Sequence, residues 1–151
     1  MVQRLADELI RVVNEAAAEL RSIGEASATA KVRPEAWSIK EILGHLIDSA
    51  ANNHQRFVRA QQTDRFIFPG YEQDAWVRSQ GYQDRPWFEL IEFWALYNHH
   101  LSHAMRRIPE ATLAVPCQIE TNEFVTLRFL VEDYMVHLRH HLRQIDERRA
   151  G

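Results

Sequence analysis

The sequence predicts an all-α protein, built as a four-helix bundle in a single domain that spans residues 1–151. Four long segments repeat apolar residues at steps of three and four, the period of an amphipathic helix. No stretch between them alternates apolar and polar residues as strands do, so strand content should be close to nil. A chain of 151 residues is also long enough to bury one real core.

The first two helices have recognisable ends. The first is predicted over residues 2–23 and is followed by Gly24, a residue type that commonly ends helices. The second is predicted to begin at Ser38, because Ser38 and Glu41 have the spacing of a capping box. It should run to about Gln62.

The last two helices are bounded in the same way. The third is predicted over residues 86–107, because Pro86 favours a first helical turn and Pro109 prevents continuation. The fourth is predicted to start with Thr126 as N-cap and to fray near Arg148.

The connections between these helices are unequal. Residues 24–37 and 108–125 are predicted to be medium loops, whereas residues 63–85 form a long one in which Tyr71–Gln80 can form a short helix. This long segment has more aromatic residues than a solvated connection needs, so it should fold back over one end of the bundle. There it either walls a functional pocket or caps the core at a distance from one. Its aromatic residues are Phe66, Phe68, Tyr71, Trp76 and Tyr82.

Composition excludes several classes of protein. A net charge of −3 provides no basic surface for nucleic acid, and no run of about 18 apolar residues predicts a membrane span. The N-terminal segment carries Asp7 and Glu8 inside its apolar pattern, which indicates an amphipathic helix and not a signal peptide. The only cysteine, Cys117, excludes an internal disulfide and fits a reducing compartment. We therefore expect a cytoplasmic protein.

Three histidines on two predicted helices are the main chemical signal. His137 and His141 are four residues apart, which places them about 40° apart around a helix and roughly 6 Å apart along it. His45, from the second helix, would complete a site of three neutral nitrogens suited to zinc, nickel, copper or iron. Asp48 and Asp133 are the candidates to accept a hydrogen bond from the second ring nitrogen of these histidines.

Spacing alone leaves a simpler interpretation open, in which these are core or boundary histidines bonded to neighbouring groups. His99 and His103 have the same spacing, but they lie opposite the apolar face of the third helix and should be mainly exposed. His54 should lie at the surface, on the far side of the helix from His45. His140 could replace His141 only if the fourth helix were rotated about its axis.

Two segments together resemble the DinB/YfiT-like superfamily. They are W-S-I-K-E-I-L-G-H-L-I-D, Trp37–Asp48, and D-Y-M-V-H-L-R-H-H-L-R-Q-I, Asp133–Ile145. The resemblance implies a four-helix bundle with up-down-down-up order that holds a divalent metal, commonly nickel or zinc, with three histidines. Carried over residue by residue, these ligands are His45, His137 and His141. It also implies a homodimer, because proteins of this fold often pair through helix faces.

The resemblance implies a metal-dependent enzyme that acts on a small molecule. Characterised relatives include transferases and an isomerase that use low-molecular-weight thiols, and many others are classed as metal-dependent hydrolases. We expect thiol S-transfer ahead of hydrolysis, with Asp48 and Asn52 shaping the site and Tyr134 or Trp76 bordering the substrate. The alternative is a metal-binding or stress-related bundle without turnover, which a sealed site would favour.

Overall fold

Four long helices form the body of the protein in the computed structural model, which describes residues 2–150. Each begins and ends within two residues of its predicted bounds, which confirms the predicted all-α four-helix bundle. Two short helices lie in the connections. In chain order the helices are α1 (Val2–Arg21), α2 (Glu25–Thr29), α3 (Ile39–Ala60), α4 (Gln73–Gln80), α5 (Trp87–Arg106) and α6 (Leu127–Ala150), and short 3₁₀ turns follow α4 and α5 at Tyr82–Asp84 and Glu110–Ala114.

Contacts between side chains fix the direction of α5 relative to α1. Gln3, at the start of α1, donates a hydrogen bond of 3.1 Å to the carbonyl of Arg106, at the end of α5. Arg21, at the end of α1, is 2.8 Å from Glu92, near the start of α5. These two helices are therefore antiparallel.

The direction of α3 and α6 follows in the same way. Arg148, near the end of α6, donates to the carbonyl of Trp37, just before α3, and Phe57, late in α3, contacts Tyr134, early in α6. These helices are antiparallel, while α1 and α6 are parallel. Taken together, the four directions give the predicted up-down-down-up order. Glu8, early in α1, contacts Arg139, and Arg149, at the end of α6, donates to the carbonyl of Glu19, late in α1.

The predicted caps position the two helices that carry the histidines. Ser38 Oγ accepts a hydrogen bond of 3.2 Å from the Glu41 amide, and the Ser38 amide donates one of 3.1 Å to Glu41 Oε1. Thr126 Oγ1 accepts a hydrogen bond of 3.1 Å from the Phe129 amide. Each cap satisfies amides that the first helical turn leaves free, so the sequence sets where α3 and α6 begin.

A small sheet that the sequence analysis did not predict ties the two longer connections together. It consists of β1 (Phe66–Phe68), β2 (Pro116–Ile119) and β3 (Val125–Thr126), in that order. β1 pairs with β2 in parallel, with Phe66 opposite Cys117, and β2 pairs with β3 antiparallel. Strands of two to four residues are too short to show alternation, and for the same reason the one-turn helix α2 was missed.

The long connection packs against α3 and buries Phe66 and Tyr82, whereas Trp76 remains 38% exposed. Its helix α4 begins at Gln73, two residues later than predicted, because Glu72 caps it by accepting a hydrogen bond from the Ala75 amide. Tyr82 lies directly on α3 at Gly44, where an added Cβ would stand only 2.2 Å from Tyr82 Cδ2. Gly44 is therefore what admits this ring.

No helix within residues 2–150 combines the length and the apolar character that a bilayer span requires.

Candidate metal centre

Three imidazole rings converge between α3 and α6. His45 contributes one ring from α3, and His137 and His141 contribute two from α6. One ligand nitrogen from each ring lies within 4.8 Å of the other two, and the nearest pair, His45 Nε2 and His137 Nε2, are 3.2 Å apart. Within residues 2–150 this is the one group of three or more potential ligand side chains that meets in this way.

The spacing fits a single metal ion. Two nitrogens that are about 2.0–2.1 Å from one ion in tetrahedral geometry are about 3.3–3.4 Å from each other. The 3.2 Å between His45 Nε2 and His137 Nε2 is close to that value. A hydrogen bond between two imidazoles would also suit this distance, but it leaves unexplained why His141 approaches both rings, with centroids 4.6 Å and 4.5 Å away. Three neutral nitrogens are a donor set suited to zinc or nickel.

Two polar side chains hold the rings of α6 by their second nitrogen. Ser49 Oγ lies 3.3 Å from His137 Nδ1, and Gln144 Oε1 lies 2.8 Å from His141 Nδ1. Each bond fixes the ring orientation and leaves Nε2 free to bind a metal. His45 is fully buried against the Trp37 ring, 5.1 Å away between centroids, and its Nδ1 has no hydrogen-bond partner among the described residues.

The predicted orienting role of Asp48 and Asp133 is wrong, because neither carboxylate binds an imidazole. Asp48 points toward the long connection, where its Oδ1 accepts hydrogen bonds of 2.7 Å from Tyr82 and 2.8 Å from Gln80. Asp133 lies one turn before His137 and is exposed. Burial raises the pKa of Asp48, while these two hydrogen bonds lower it in part.

Asn52 is bound to its own helix, through a hydrogen bond of 2.9 Å from its Nδ2 to the Asp48 carbonyl. A role for Asp48 and Asn52 in shaping the site stays a prediction.

Burial keeps the three rings neutral. Burial first, and the neighbouring imidazoles second, lower the pKa of His45 to about 3 and that of His137 to about 4. Burial also lowers the pKa of His141. At neutral pH all three rings are therefore uncharged, which is the form that binds a metal ion.

None of the other histidines joins this cluster as a converging ligand. His140 is exposed and only packs its ring against that of His141, with centroids 4.9 Å apart. His103 is exposed and His99 is half-buried, with Nε2 2.7 Å from Asn14 Oδ1. His54, predicted to be a surface residue, is half-buried instead, because its Nδ1 is 3.0 Å from the hydroxyl of Tyr97 on α5.

A polar cavity of about 230 Å³ adjoins the cluster at His137. Of the two residues that the sequence analysis expected to border a substrate, Tyr134 lines this cavity and Trp76 does not. Trp76 lines a separate cavity of about 390 Å³, and it is Tyr71 of the same connection that reaches the histidine cavity.

A cavity of about 450 Å³ between the ends of α1 and α6 has no histidine in its lining and offers no comparable chemistry. The polar residues around His137 include Ser49, Asn53, Arg56, Tyr71, Glu120 and Asp133.

Arg56 is the lining residue that the sequence analysis missed. It follows His45 by eleven residues, close to three helical turns, so it lies on the same face of α3 as His45 and Ser49. This spacing was visible in the sequence. An arginine near the end of a helix is usually solvated, however, and only the folded chain shows that Arg56 is half-buried.

Comparison with known proteins agrees with the fold and the cluster. A protein of Halalkalibacterium halodurans, BH0277, is 21% identical over 128 residues, covering 83% of this chain and 73% of its own length, and carries the provisional name of a metal-dependent hydrolase. The structure of YfiT from Bacillus subtilis, described as a probable metal-dependent hydrolase with an unusual four-helix bundle topology, matches 95% of this chain and 85% of its own. Its TM-score is 0.78 and its identity 20%. The model of the DinB superfamily matches residues 8–145. The chain therefore belongs to the DinB superfamily.

Proposed function

We propose that this protein is a metal-dependent hydrolase of small molecules, with one zinc or nickel ion held by His45, His137 and His141. The observation that carries the proposal is the convergence of three neutral imidazoles beside a polar cavity. The hydrolase names of the two similar proteins support the same class of reaction.

The residues around the cavity have different roles in the proposed reaction. Ser49 and Gln144 hold two of the rings so that their Nε2 atoms point to one place. A divalent ion with three neutral ligands would supply a Lewis acid that lowers the pKa of a water or a thiol in the cavity. Asp133 lines the cavity beside His137 and offers a carboxylate that can accept the proton.

Tyr134 forms part of the wall of the histidine cavity and is held in place by a hydrogen bond. Its hydroxyl donates to Asn98 Oδ1, and complete burial raises its pKa far above the usual range. It therefore remains a neutral phenol at neutral pH.

Transfer of a low-molecular-weight thiol is the second candidate. The same site would lower the pKa of a thiol, and Asn53 and Arg56 could bind its polar groups. The chain itself supplies no such nucleophile, since Cys117 is buried and burial raises its pKa to about 11. The thiol would therefore come from solution, in the cytoplasm, where we place the protein because its single cysteine fits a reducing compartment.

An assay of the metal-loaded protein separates these functions. Zinc- or nickel-loaded protein is incubated with a panel of nitrophenyl esters and anilides, and separately with monobromobimane plus cysteine. Release of nitrophenol or nitroaniline that needs metal but no thiol supports the hydrolase. Bimane conjugation that is faster than the spontaneous reaction of cysteine with monobromobimane, and whose acceleration needs bound metal, supports the transferase instead.

The controls use matched variants of the same chain. Activity should be lost in His137→Ala and kept in His103→Ala, which removes an exposed histidine of α5. If the metal-loaded protein is inactive in both assays, the proposal of a hydrolase is refuted. The alternative, a metal-binding bundle without turnover, is then the interpretation that remains.

A further inference from the structure

Arg56 is a half-buried cation without an ion-pair partner. Within residues 2–150 no carboxylate oxygen lies within 4.0 Å of its nitrogens, whereas nine other ion pairs form. Its Nε is buried and has no hydrogen-bond partner among these residues. A guanidinium taken out of water loses hydration free energy that a partner normally replaces. No ion pair and no hydrogen bond to Nε within the described residues replaces it here.

Arg56 lies at the boundary between two cavities. It lines the cavity that contains His137, and it also lines a second cavity of about 370 Å³. The two cavities share five lining residues, so the guanidinium stands where they adjoin; the shared residues are Arg56, Ile119, Asn122, Leu130 and Asp133. Four of the eight residues that line the second cavity are apolar and offer a surface for an apolar group, namely Ile119, Val125, Phe129 and Leu130; the other four are Arg56, Asn122, Glu123 and Asp133.

The surrounding charges favour a single negative charge on the ligand. Asp133 and Glu120 also line the histidine cavity, and both stabilise the charged form of Arg56 from a distance without pairing with it. They would repel a dianion such as a phosphate monoester more strongly than a carboxylate. A carboxylate also matches the two parallel donors of a guanidinium.

We infer that Arg56 binds a carboxylate of the substrate, with an apolar group of the same molecule in the second cavity and the reacting bond toward His137. The part of the inference that concerns the reacting bond rests on the proposed function. The binding of a carboxylate by Arg56 does not depend on it. Arg56 is thus a specificity-determining residue, and the substrate class is small carboxylic acids with an apolar body.

Calorimetric titration of the full chain tests this with three probes, namely phenylacetate, its neutral isostere phenylacetamide, and phenyl phosphate. The metal-free protein should bind phenylacetate about tenfold or more tightly than phenylacetamide, as expected for a charge-assisted pair. Arg56→Gln should remove this preference without changing the affinity for phenylacetamide, and Arg56→Lys should keep part of it.

Arg59→Gln is the matched control, because Arg59 lies on the same helix and is exposed. It should keep the full preference for phenylacetate, and circular dichroism should show that all variants are folded. Equal affinity of wild-type protein for acid and amide, or equal loss in Arg56→Gln and Arg59→Gln, would overturn the inference. Tighter binding of phenyl phosphate would overturn the choice of a carboxylate.

The same titration with zinc-loaded protein keeps the two proposals apart. If zinc fails to bind at the histidines while Arg56 still selects phenylacetate, the proposed function fails and the inference stands. If zinc binds and supports hydrolysis while no preference for the acid is seen, the inference fails and the function stands.

Discussion

His45 Nε2 lies 3.2 Å from His137 Nε2, although the two residues belong to different helices and are 92 residues apart in the sequence. Two imidazoles can approach this closely only if they are not both protonated, since two adjacent cations repel each other strongly in a dry environment. The folded chain therefore disfavours protons on these rings, and acid should act on both stability and metal binding.

The stability of the metal-free protein should fall in mild acid. The unfolded chain protonates these histidines near their ordinary pKa of about 6.5, whereas the folded chain lowers the pKa of His45 to about 3 and that of His137 to about 4. Between these values the unfolded state binds more protons, so the free energy of unfolding should decrease as the pH is lowered from about 6.5 toward 4. Urea denaturation at several pH values across this range measures the free energy of unfolding.

Two variants isolate the contribution of the cluster. His45→Leu should flatten the dependence on pH, and His103→Leu, which changes an exposed residue, should leave it unchanged. Equal slopes in wild-type protein and His45→Leu would contradict the low pKa of His45. Zinc affinity should fall over the same range, because protons compete with the metal for the ring nitrogens.

Gly44→Ala should destabilise the fold around the site. The added Cβ would stand 2.2 Å from Tyr82 Cδ2, so the ring would have to move and its hydrogen bond to Asp48 would be strained or lost. Overpacking of this kind costs about 1–3 kcal/mol. Gly24→Ala is the control, because an added Cβ there meets no atom within 4 Å. If both variants have the same denaturation midpoint in urea, the close approach of Tyr82 to Gly44 is refuted.

Tyr71 and Trp76 should have different effects on ligand binding. Tyr71 lines the cavity that contains His137, and Trp76 lines a different one in which its side chain is 38% exposed. Tyr71→Ala should therefore weaken phenylacetate binding or raise the KM of hydrolysis, and Trp76→Ala should change neither. Both variants should keep the zinc stoichiometry of the wild-type protein. A larger effect of Trp76→Ala would show that the substrate occupies the other cavity.

We propose that the protein forms a homodimer through α5. Phe88, Phe93 and Leu96 lie along this helix with exposed fractions of 66%, 45% and 64%, so the single chain leaves their apolar surface uncovered. Light scattering at micromolar concentration should give the mass of two chains, and Leu96→Asp should reduce it to one. Val32→Asp, at a position of equal exposure outside the long helices, should remain dimeric. A monomeric wild-type protein would refute the proposal.

The sequence predicts helices well here because their signals are local. The capping box of Ser38 and Glu41 and the cap at Thr126 are read from neighbouring residues, and the spacing of His137 and His141 places them on one helix face. Residue type and spacing made His45 only a candidate third ligand, and the resemblance to a family assigned it, since periodicity alone cannot pair two distant helices.

The parts that could not be predicted depend on partners far away in the sequence. Ser49 and Asp48 are adjacent on α3, yet Ser49 contacts His137 and Asp48 contacts Tyr82, because a step of one residue rotates a side chain by about 100° around the helix. Asp48 was the better candidate by residue type, but the packing of Tyr82 on Gly44 decides its partner. Arg56 shows the same limit, since its burial depends on residues from two connections.

Zinc titration of the metal-free protein, followed by calorimetry at neutral pH, tests most directly whether His45, His137 and His141 form one metal site. The wild-type protein should bind one ion per chain, and His137→Ala and His141→Ala should each lose tight binding because two imidazoles cannot complete the site. His99→Ala and His103→Ala, which remove a pair of the same spacing on α5, should bind as the wild type does. Equal behaviour of all four variants, or no binding by the wild-type protein, would contradict the account.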